Sequence, residues 1–150
     1  MIYYFAYGCH MDQHKMLARG IQFEWARKAV LKGYKLIFNK RSKYNPTSGF
    51  ANLIAEEESS VEGVLFKIED YRKTDIYEGC PEHYKKIFVD FEWDKNNKFQ
   101  AVTYVAQESY ISEGLKPTVG YMRHLIKGAE QHDLSEEYIK YLKDIDVLEE

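Results

Sequence analysis

The sequence predicts an α+β domain built on a strongly bent, partly closed sheet, and three observations carry that expectation. Most strand-like stretches come as hairpin neighbours instead of alternating with helices, which argues against a doubly wound fold. Helical periodicity is short in the middle of the chain and longer towards its C-terminal end. The 150 residues (17.8 kDa), 45% hydrophobic and 30% charged, supply one sizeable core for a single domain spanning residues 1–150.

The first element is the apolar run Ile2–Tyr7, of strand length and rich in aromatic residues, which stops at Gly8. Met11, Met16 and Leu17 then fall at roughly helical spacing, giving a short helix that ends at Gly20. From Ala29 to Asn39 the apolar residues fit a strand with an irregularity at Gly33. Lys40–Gly49 is polar and reads as a loop of about ten residues, a length that is uncommon without a function. Strands follow at Ala51–Ala55 and Val61–Ile68, then a short acidic helix across Asp70–Tyr77. Ile87, Val89, Phe91 and Trp93 alternate with Phe88, Asp90 and Glu92 along one arm of a hairpin; Asp94–Lys98 turns and Phe99–Ala106 returns. After Pro117 the period becomes helical, with Val119, Met122, Leu125, Ile126 and Ala129 on one stripe. Ser135 caps a last helix that carries Glu136 and Glu137 in its first turn and Leu142 on its buried side.

Charge and composition argue against several classes of partner. Twenty-four acids against 21 bases give a formal net charge of −3, without the basic bias of a nucleic-acid or anionic-membrane binder. No apolar run approaches the ~20 residues of a bilayer span. The N-terminus lacks the basic n-region of a signal peptide, so a cytoplasmic protein is expected. Two cysteines, Cys9 and Cys80, are too few for a disulfide framework. Thirteen tyrosines against eight phenylalanines suit a polar-lined pocket or strands with one wet face.

The segment Tyr7-Gly8-Cys9-His10-Met11 is a strand that breaks at glycine and runs into a helix. Unsatisfied N–H groups at such a turn favour a carboxylate or a developing oxyanion, although Gly8 has the plainer use of turning the chain. Cys9, His10 and His14 are of metal-ligating or nucleophilic type, but adjacent residues on a turn rarely converge. His83, His124 and His132 have no partner spacing, so neither a metal nor thiol catalysis is expected. Glu78, in Glu78-Gly79-Cys80-Pro81, is either a carboxylate held by constrained backbone or a solvated helix-end acid. Tyr84 enters the hairpin strand facing the core or a cleft. Tyr121 lies beside the Val119–Met122–Leu125 stripe, snorkelling at a core edge or sending its hydroxyl into a pocket.

Their order along the chain says more than any one of them. Tyr4-Phe5-Ala6-Tyr7-Gly8-Cys9-His10-Met11 is followed by Gly33-Tyr34-Lys35-Leu36-Ile37-Phe38-Asn39-Lys40-Arg41-Ser42, then by Gly49-Phe50-Ala51-Asn52-Leu53 and Val61-Glu62-Gly63-Val64-Leu65-Phe66. Tyr77-Glu78-Gly79-Cys80-Pro81 with Tyr84, Ala101-Val102-Thr103-Tyr104-Val105, Lys116-Pro117 with Tyr121, Gly128-Ala129-Glu130 and Leu134-Ser135-Glu136-Glu137-Tyr138 complete the series. Over nearly its whole length the chain resembles the gamma-glutamylcyclotransferase-like family, whose turn signature is Tyr-Gly-Ser-Asn-Leu/Met. The resemblance implies a small distorted mixed β-barrel with flanking helices. It implies an enzyme that releases an amine or amino acid from a gamma-glutamyl group as the glutamyl part cyclises to 5-oxoproline. Glu78 would then be the general acid/base, Tyr7, Gly8, Cys9, His10 and Met11 the substrate-cradling loop, and Tyr84 and Tyr121 pocket tyrosines. The sequence departs at Cys9 and His10, where the family carries Ser and Asn; backbone N–H contacts survive that exchange, whereas side-chain contacts change with it.

The chemistry is consistent with these residue types. In the cyclisation the substrate's own α-amine attacks its γ-carbonyl, so the protein supplies geometry instead of a nucleophile. A normal Glu at ~4.3 and an α-ammonium at ~8 differ by ~3.7 units, roughly 5 kcal/mol against proton transfer, so an exposed Glu78 would be a poor base. Burial narrows that gap and makes the protonated acid a donor to the leaving amine, with no metal or organic cofactor called for. The expected partner is a small gamma-glutamyl amine, and the protein a monomer or homodimer. Two other readings share the fold: a non-catalytic module that binds a gamma-glutamyl or carboxylate ligand, and a hydrolase or transferase acting on other amides.

Overall fold

Strand β1 (Ile2–Ala6) runs through the centre of the sheet with both faces covered, so Tyr4, Phe5 and Ala6 are buried in succession instead of alternately. The structure, a computed structural model, describes residues 1–94 and 96–149, the side chains of Glu92, Trp93 and Asp94 excepted. Strands β2 (Phe23–Arg41) and β3 (Gly49–Ile68) form one long hairpin, and β4 (Tyr84–Asp94) and β5 (Asn97–Ala106) a second. Strand β1 joins them. It pairs antiparallel with β3, Tyr4 opposite Phe66, and parallel with β5, Tyr4 opposite Val102, which gives the order β2-β3-β1-β5-β4. The α+β class is as expected. Among the described residues the outer strands β2 and β4 are not hydrogen-bonded to each other, so the expected barrel is an unclosed sheet. Side chains bridge the gap: Lys40 Nζ of β2 lies 2.8 Å from His83 Nδ1 just ahead of β4, and the Tyr84 hydroxyl donates to the Ala51 carbonyl of β3 at 2.8 Å.

Two strands are longer than their periodicity suggests. Strand β2 begins at Phe23 because the charged stretch Phe23–Lys28 still pairs with β3, Phe23 opposite Ile68 and Lys28 opposite Val64. The two expected strands at Ala51–Ala55 and Val61–Ile68 are one, since both halves continue along the same partner. A register shift between Lys32 and Tyr34, at Gly33 with φ 86°, takes up the extra residues Glu56, Glu57, Glu58 and Ser59. The loop between β2 and β3 is therefore confined to residues 42–48. Of the second hairpin's expected turn and alternation, Lys95 and the Trp93 side chain lie outside the described residues.

Among the described residues four α-helices surround the sheet: α1 (Gln13–Ala18), α2 (Arg72–Glu78), α3 (Val119–Gln131) and α4 (Glu136–Lys143). Asp12 caps α1 by accepting from the His14 N–H at 3.0 Å, Thr118 caps α3 from the Tyr121 N–H at 3.1 Å, and Ser135 caps α4 from the Tyr138 N–H at 3.1 Å. Helix α3 buries Met122, Leu125, Gly128 and Ala129. Gly128 lets it pack backbone to backbone on the turn after β1: a Cβ there would sit 2.3 Å from the Met11 carbonyl carbon. Among the described residues no helix is long and apolar enough to cross a membrane.

Asp12 ties these pieces together. It is 2% exposed, and besides capping α1 it lies 2.8 Å from His124 Nδ1 and 3.8 Å from Lys127 Nζ, both on α3. Burial alone would raise its pKa, but the bonds from His124 and the His14 N–H, with Lys127 nearby, hold it below the usual carboxylate range. The stability contributed by a depressed acid is present above its unfolded pKa and lost as pH falls through the folded one. Asp12→Ala is therefore expected to cost about 1–3 kcal/mol at neutral pH. The gap from wild type should close below about pH 4, as thermal melts across that range would show.

Candidate active site

A cavity of about 440 Å³ opens where the turn after β1, the end of α2, the β2–β3 hairpin and α3 meet. The turn is a single 3₁₀ stretch, Cys9–Met11, that begins at Gly8. Gly8 brings the turn close to α3: a Cβ at this position would lie 3.0 Å from the Tyr121 hydroxyl oxygen, which would have to give by a few tenths of an ångström. Within the turn the Met11 N–H donates to the Gly8 carbonyl at 3.0 Å and the Asp12 N–H to Cys9 at 3.1 Å. The N–H groups of Cys9 and His10 have no protein acceptor among the described residues.

Glu78 is the last residue of α2, and Gly79 at φ 63° ends the helix behind it. The helix is anchored one turn earlier. Asp75 receives bonds from the Tyr104 hydroxyl and from Lys86 Nζ, the latter at 3.0 Å. The Glu78 carboxyl is 21% exposed, desolvated by its surroundings while still open to the cavity. Burial pushes it up to about 7, against the opposing pull of Arg19, the Tyr4 hydroxyl, Lys40 and Lys15. Its place at a helix C-terminus, among carbonyl ends, works in the same direction as burial. Among the described wall residues it is the one carboxylate, facing Lys15, Arg19, Lys40 and Lys43.

Of the residues singled out in the sequence, Glu78, Tyr7, Gly8, Cys9, His10, Tyr84 and Tyr121 all reach this cavity. Met11 does not. It is fully buried, pressed against Gly128 of α3, and its N–H is already used within the turn. The tyrosines are structural at their hydroxyls as well as lining the wall. Tyr7 donates to the Tyr104 carbonyl and Tyr84 to the Ala51 carbonyl. Tyr121 accepts from the Ala51 N–H at 3.1 Å, and its own proton has no acceptor among the described residues. Cys9, His10 and His14 do not converge: His10 is buried, whereas the His14 side chain is 63% exposed. Burial pushes the Cys9 thiol up, so it is not a thiolate at neutral pH.

Several wall residues escaped sequence reasoning. Tyr4 sends its hydroxyl to Glu78 Oε1 at 3.3 Å and lies 2.8 Å from His10 Nδ1; Arg19 Nη1 lies 2.6 Å from His10 Nε2. Lys40 is 3% exposed, among the rings of Phe50, Tyr84 and Tyr110, and burial brings its pKa down to about 8. The available signal for Tyr4 was the two-residue strand period, which puts it on the face opposite Phe5.

Comparison with known proteins shows the family and the fold. The AIG2-like family model matches residues 60–142, more than half of the chain. The chain belongs to the AIG2-like family. This AIG2-like chain is also 29% identical over 148 residues to YkqA of Bacillus subtilis (strain 168), described as a candidate gamma-glutamylcyclotransferase. That alignment covers 95% of the chain and 51% of YkqA, so the chain spans about half the length of the curated relative it matches. The crystal structure of YkqA superposes with a TM-score of 0.80 at 25% identity, covering 98% of this chain and 56% of that one. A gamma-glutamyl cyclotransferase structure superposes with a TM-score of 0.82 at 23% identity, covering 98% and 89%. The AIG2-like chain therefore has the fold of these proteins, and the resemblance drawn from its motifs holds at the level of family and fold.

Proposed function

We propose that this chain, acting as one domain, is a gamma-glutamylcyclotransferase-type enzyme with Glu78 as its general acid/base. The observation that carries the reading is Glu78 itself, a desolvated carboxyl at about 7 on an otherwise cationic, tyrosine-lined wall. Against a substrate ammonium near ~8 the transfer gap is ~1 unit, roughly 1.4 kcal/mol, instead of the roughly 5 kcal/mol of an ordinary Glu. The cations of the wall favour the α-carboxylate of a gamma-glutamyl group. Glu78 takes a proton from the α-ammonium, and the freed amine attacks the γ-carbonyl carbon. The oxygen of that carbonyl becomes an oxyanion within reach of the N–H groups of Cys9 and His10. When the tetrahedral centre collapses, Glu78 gives its proton to the leaving nitrogen. The ring nitrogen, which still carries two protons, then loses one to the carboxylate thus freed. 5-Oxoproline departs as the lactam with the amine, which takes that last proton up as its ammonium. A pure carboxylate binder gains nothing from a desolvated acid beside its ligand.

The test is incubation with a panel of gamma-glutamyl amines, measuring 5-oxoproline and free glutamate together. Release of 5-oxoproline supports the cyclotransferase; free glutamate alone means a hydrolase. Thermal stabilisation by a ligand with neither product means a binding module. The kcat/KM profile is expected to rise with pH through about 7, the carboxylate being the active form. A profile flat from about pH 5 to about pH 8 would exclude Glu78 as the base. Cys9→Ser is expected to keep kcat within about threefold, since the turn acts through its backbone. A thousandfold loss in that variant would point to thiol chemistry.

A further inference from the structure

The hydrogen bonds behind Glu78 have a direction that their atoms determine. Arg19 has donors only, so where its Nη1 meets His10 Nε2 at 2.6 Å that ring nitrogen is the acceptor. Burial, with Arg19 and Lys15 nearby, brings the His10 pKa down to about 3 and keeps the ring neutral. A neutral imidazole that accepts at Nε2 carries its hydrogen on Nδ1, and Nδ1 lies 2.8 Å from the Tyr4 hydroxyl oxygen, its hydrogen-bond partner, and 3.4 Å from Glu78 Oε1. Tyr4 therefore accepts from His10 and donates its own proton to Glu78 Oε1 at 3.3 Å. Donation runs one way, from Arg19 to His10 to Tyr4 to Glu78.

We propose that Arg19 and His10 are positioning residues for the acid/base: their one-way chain through Tyr4 keeps Glu78 Oε1 an acceptor and leaves Oε2 to take and return the substrate's proton. The proposal rests on Glu78 being the acid/base. It gives His10, where the family carries Asn, a role in this chain. The chain is also closed to proton escape, because Arg19 at its outer end cannot accept a proton. An Asn in place of His10 offers an N–H to Tyr4 and a carbonyl oxygen to Arg19, but on a shorter side chain than the imidazole, so it would hold Tyr4 less firmly.

The other groups facing Glu78 must be held constant in any test. They are Lys15 of α1, Lys40 of β2 and Cys9 of the turn, with the phenols of Tyr7, Tyr84, Tyr104 and Tyr121 behind them. Nitrogen NMR of the ligand-free protein should find His10 as the neutral Nδ1–H tautomer from about pH 5 to about pH 9; an Nε2–H tautomer or a cationic ring overturns the proposal. The carbon NMR titration midpoint of the Glu78 carboxyl should rise by about half a pH unit or more in His10→Phe, where Tyr4 loses its donor, and by less in His10→Asn. Identical midpoints in wild type and both variants overturn it. In kinetics the acid limb of kcat/KM should move with the midpoint, with kcat falling about tenfold or more in His10→Phe and largely restored in His10→Asn. Equal losses in the two variants mean a merely structural ring and overturn it. If His10→Phe does not fold, His10→Asn carries the same comparison against Arg19→Met, which removes the donor from Nε2 and should let the Nε2–H tautomer appear; a ring still purely Nδ1–H in Arg19→Met overturns the part assigned to Arg19. A wild-type protein that makes no 5-oxoproline while showing the predicted tautomer and midpoints fails the proposed function and leaves the chain of bonds standing.

Discussion

Glu78→Gln is expected to remove 5-oxoproline release by at least about a thousandfold and, at the same time, to make the protein more stable above neutral pH. The first effect follows from the loss of the group that takes and returns the proton. The second follows from linkage. The Glu78 pKa is raised on folding from 4.5 to about 7. Between those values the native state holds a proton that the unfolded chain has released, so stability falls as pH rises through this window and stays low above it. A shift of that size is worth about 3 kcal/mol, and Gln, uncharged at every pH, escapes it. Thermal melts should show the variant several degrees above wild type at about pH 8, with the difference shrinking towards about pH 4. A variant both inactive and no more stable at alkaline pH would mean that its carboxyl is not desolvated as described.

Gly128→Ala is expected to destabilise, although Ala is the better helix former by about 1 kcal/mol. The new methyl would meet the carbonyl carbon of Met11 at 2.3 Å and its oxygen at 2.5 Å. These are backbone atoms of the 3₁₀ turn and cannot rotate aside, so either α3 or the turn must move. Overpacking of this kind costs about 1–3 kcal/mol or more, a fall in Tm of roughly 2–10 °C for a chain of this size. Because the turn carries the free N–H groups of Cys9 and His10, kcat should fall further than the loss of folded protein explains. A variant with wild-type Tm and kcat would mean that α3 is not seated on the turn.

What the sequence made legible was mostly local. The break at Gly8, the Ser135 cap, and Glu78 ahead of Gly79 are chain-neighbour features, and a family resemblance adds their order. The contacts that escaped are distant in sequence. Tyr4 reads as one more core aromatic until α2 brings Glu78 against it, and Lys40 reads as the start of a loop until β2 continues through it. Met11 shares the turn with the cradle residues, but its N–H is spent on the Gly8 carbonyl, the i→i+3 bond that makes the turn 3₁₀. Phe23–Lys28 shows no clear strand pattern in the sequence, since half of its residues (Glu24, Arg27 and Lys28) are charged, as suits the edge strand it forms. The tyrosine excess pointed to a polar-lined pocket, yet two of the three pocket hydroxyls it suggested are already bound to backbone carbonyls.

The backbone of Ala51 is gripped on both sides, its carbonyl by Tyr84 and its N–H by Tyr121. Such a wall acts as a fixed gauge. Its ordering entropy is met when the chain folds, so a ligand is spared that cost but also finds no slack to accommodate extra length. For the proposed reaction this makes the pocket a ruler for the acyl chain: one additional methylene, which would close a six-membered ring in place of a five-membered one, should be disfavoured by about 1–3 kcal/mol in kcat/KM.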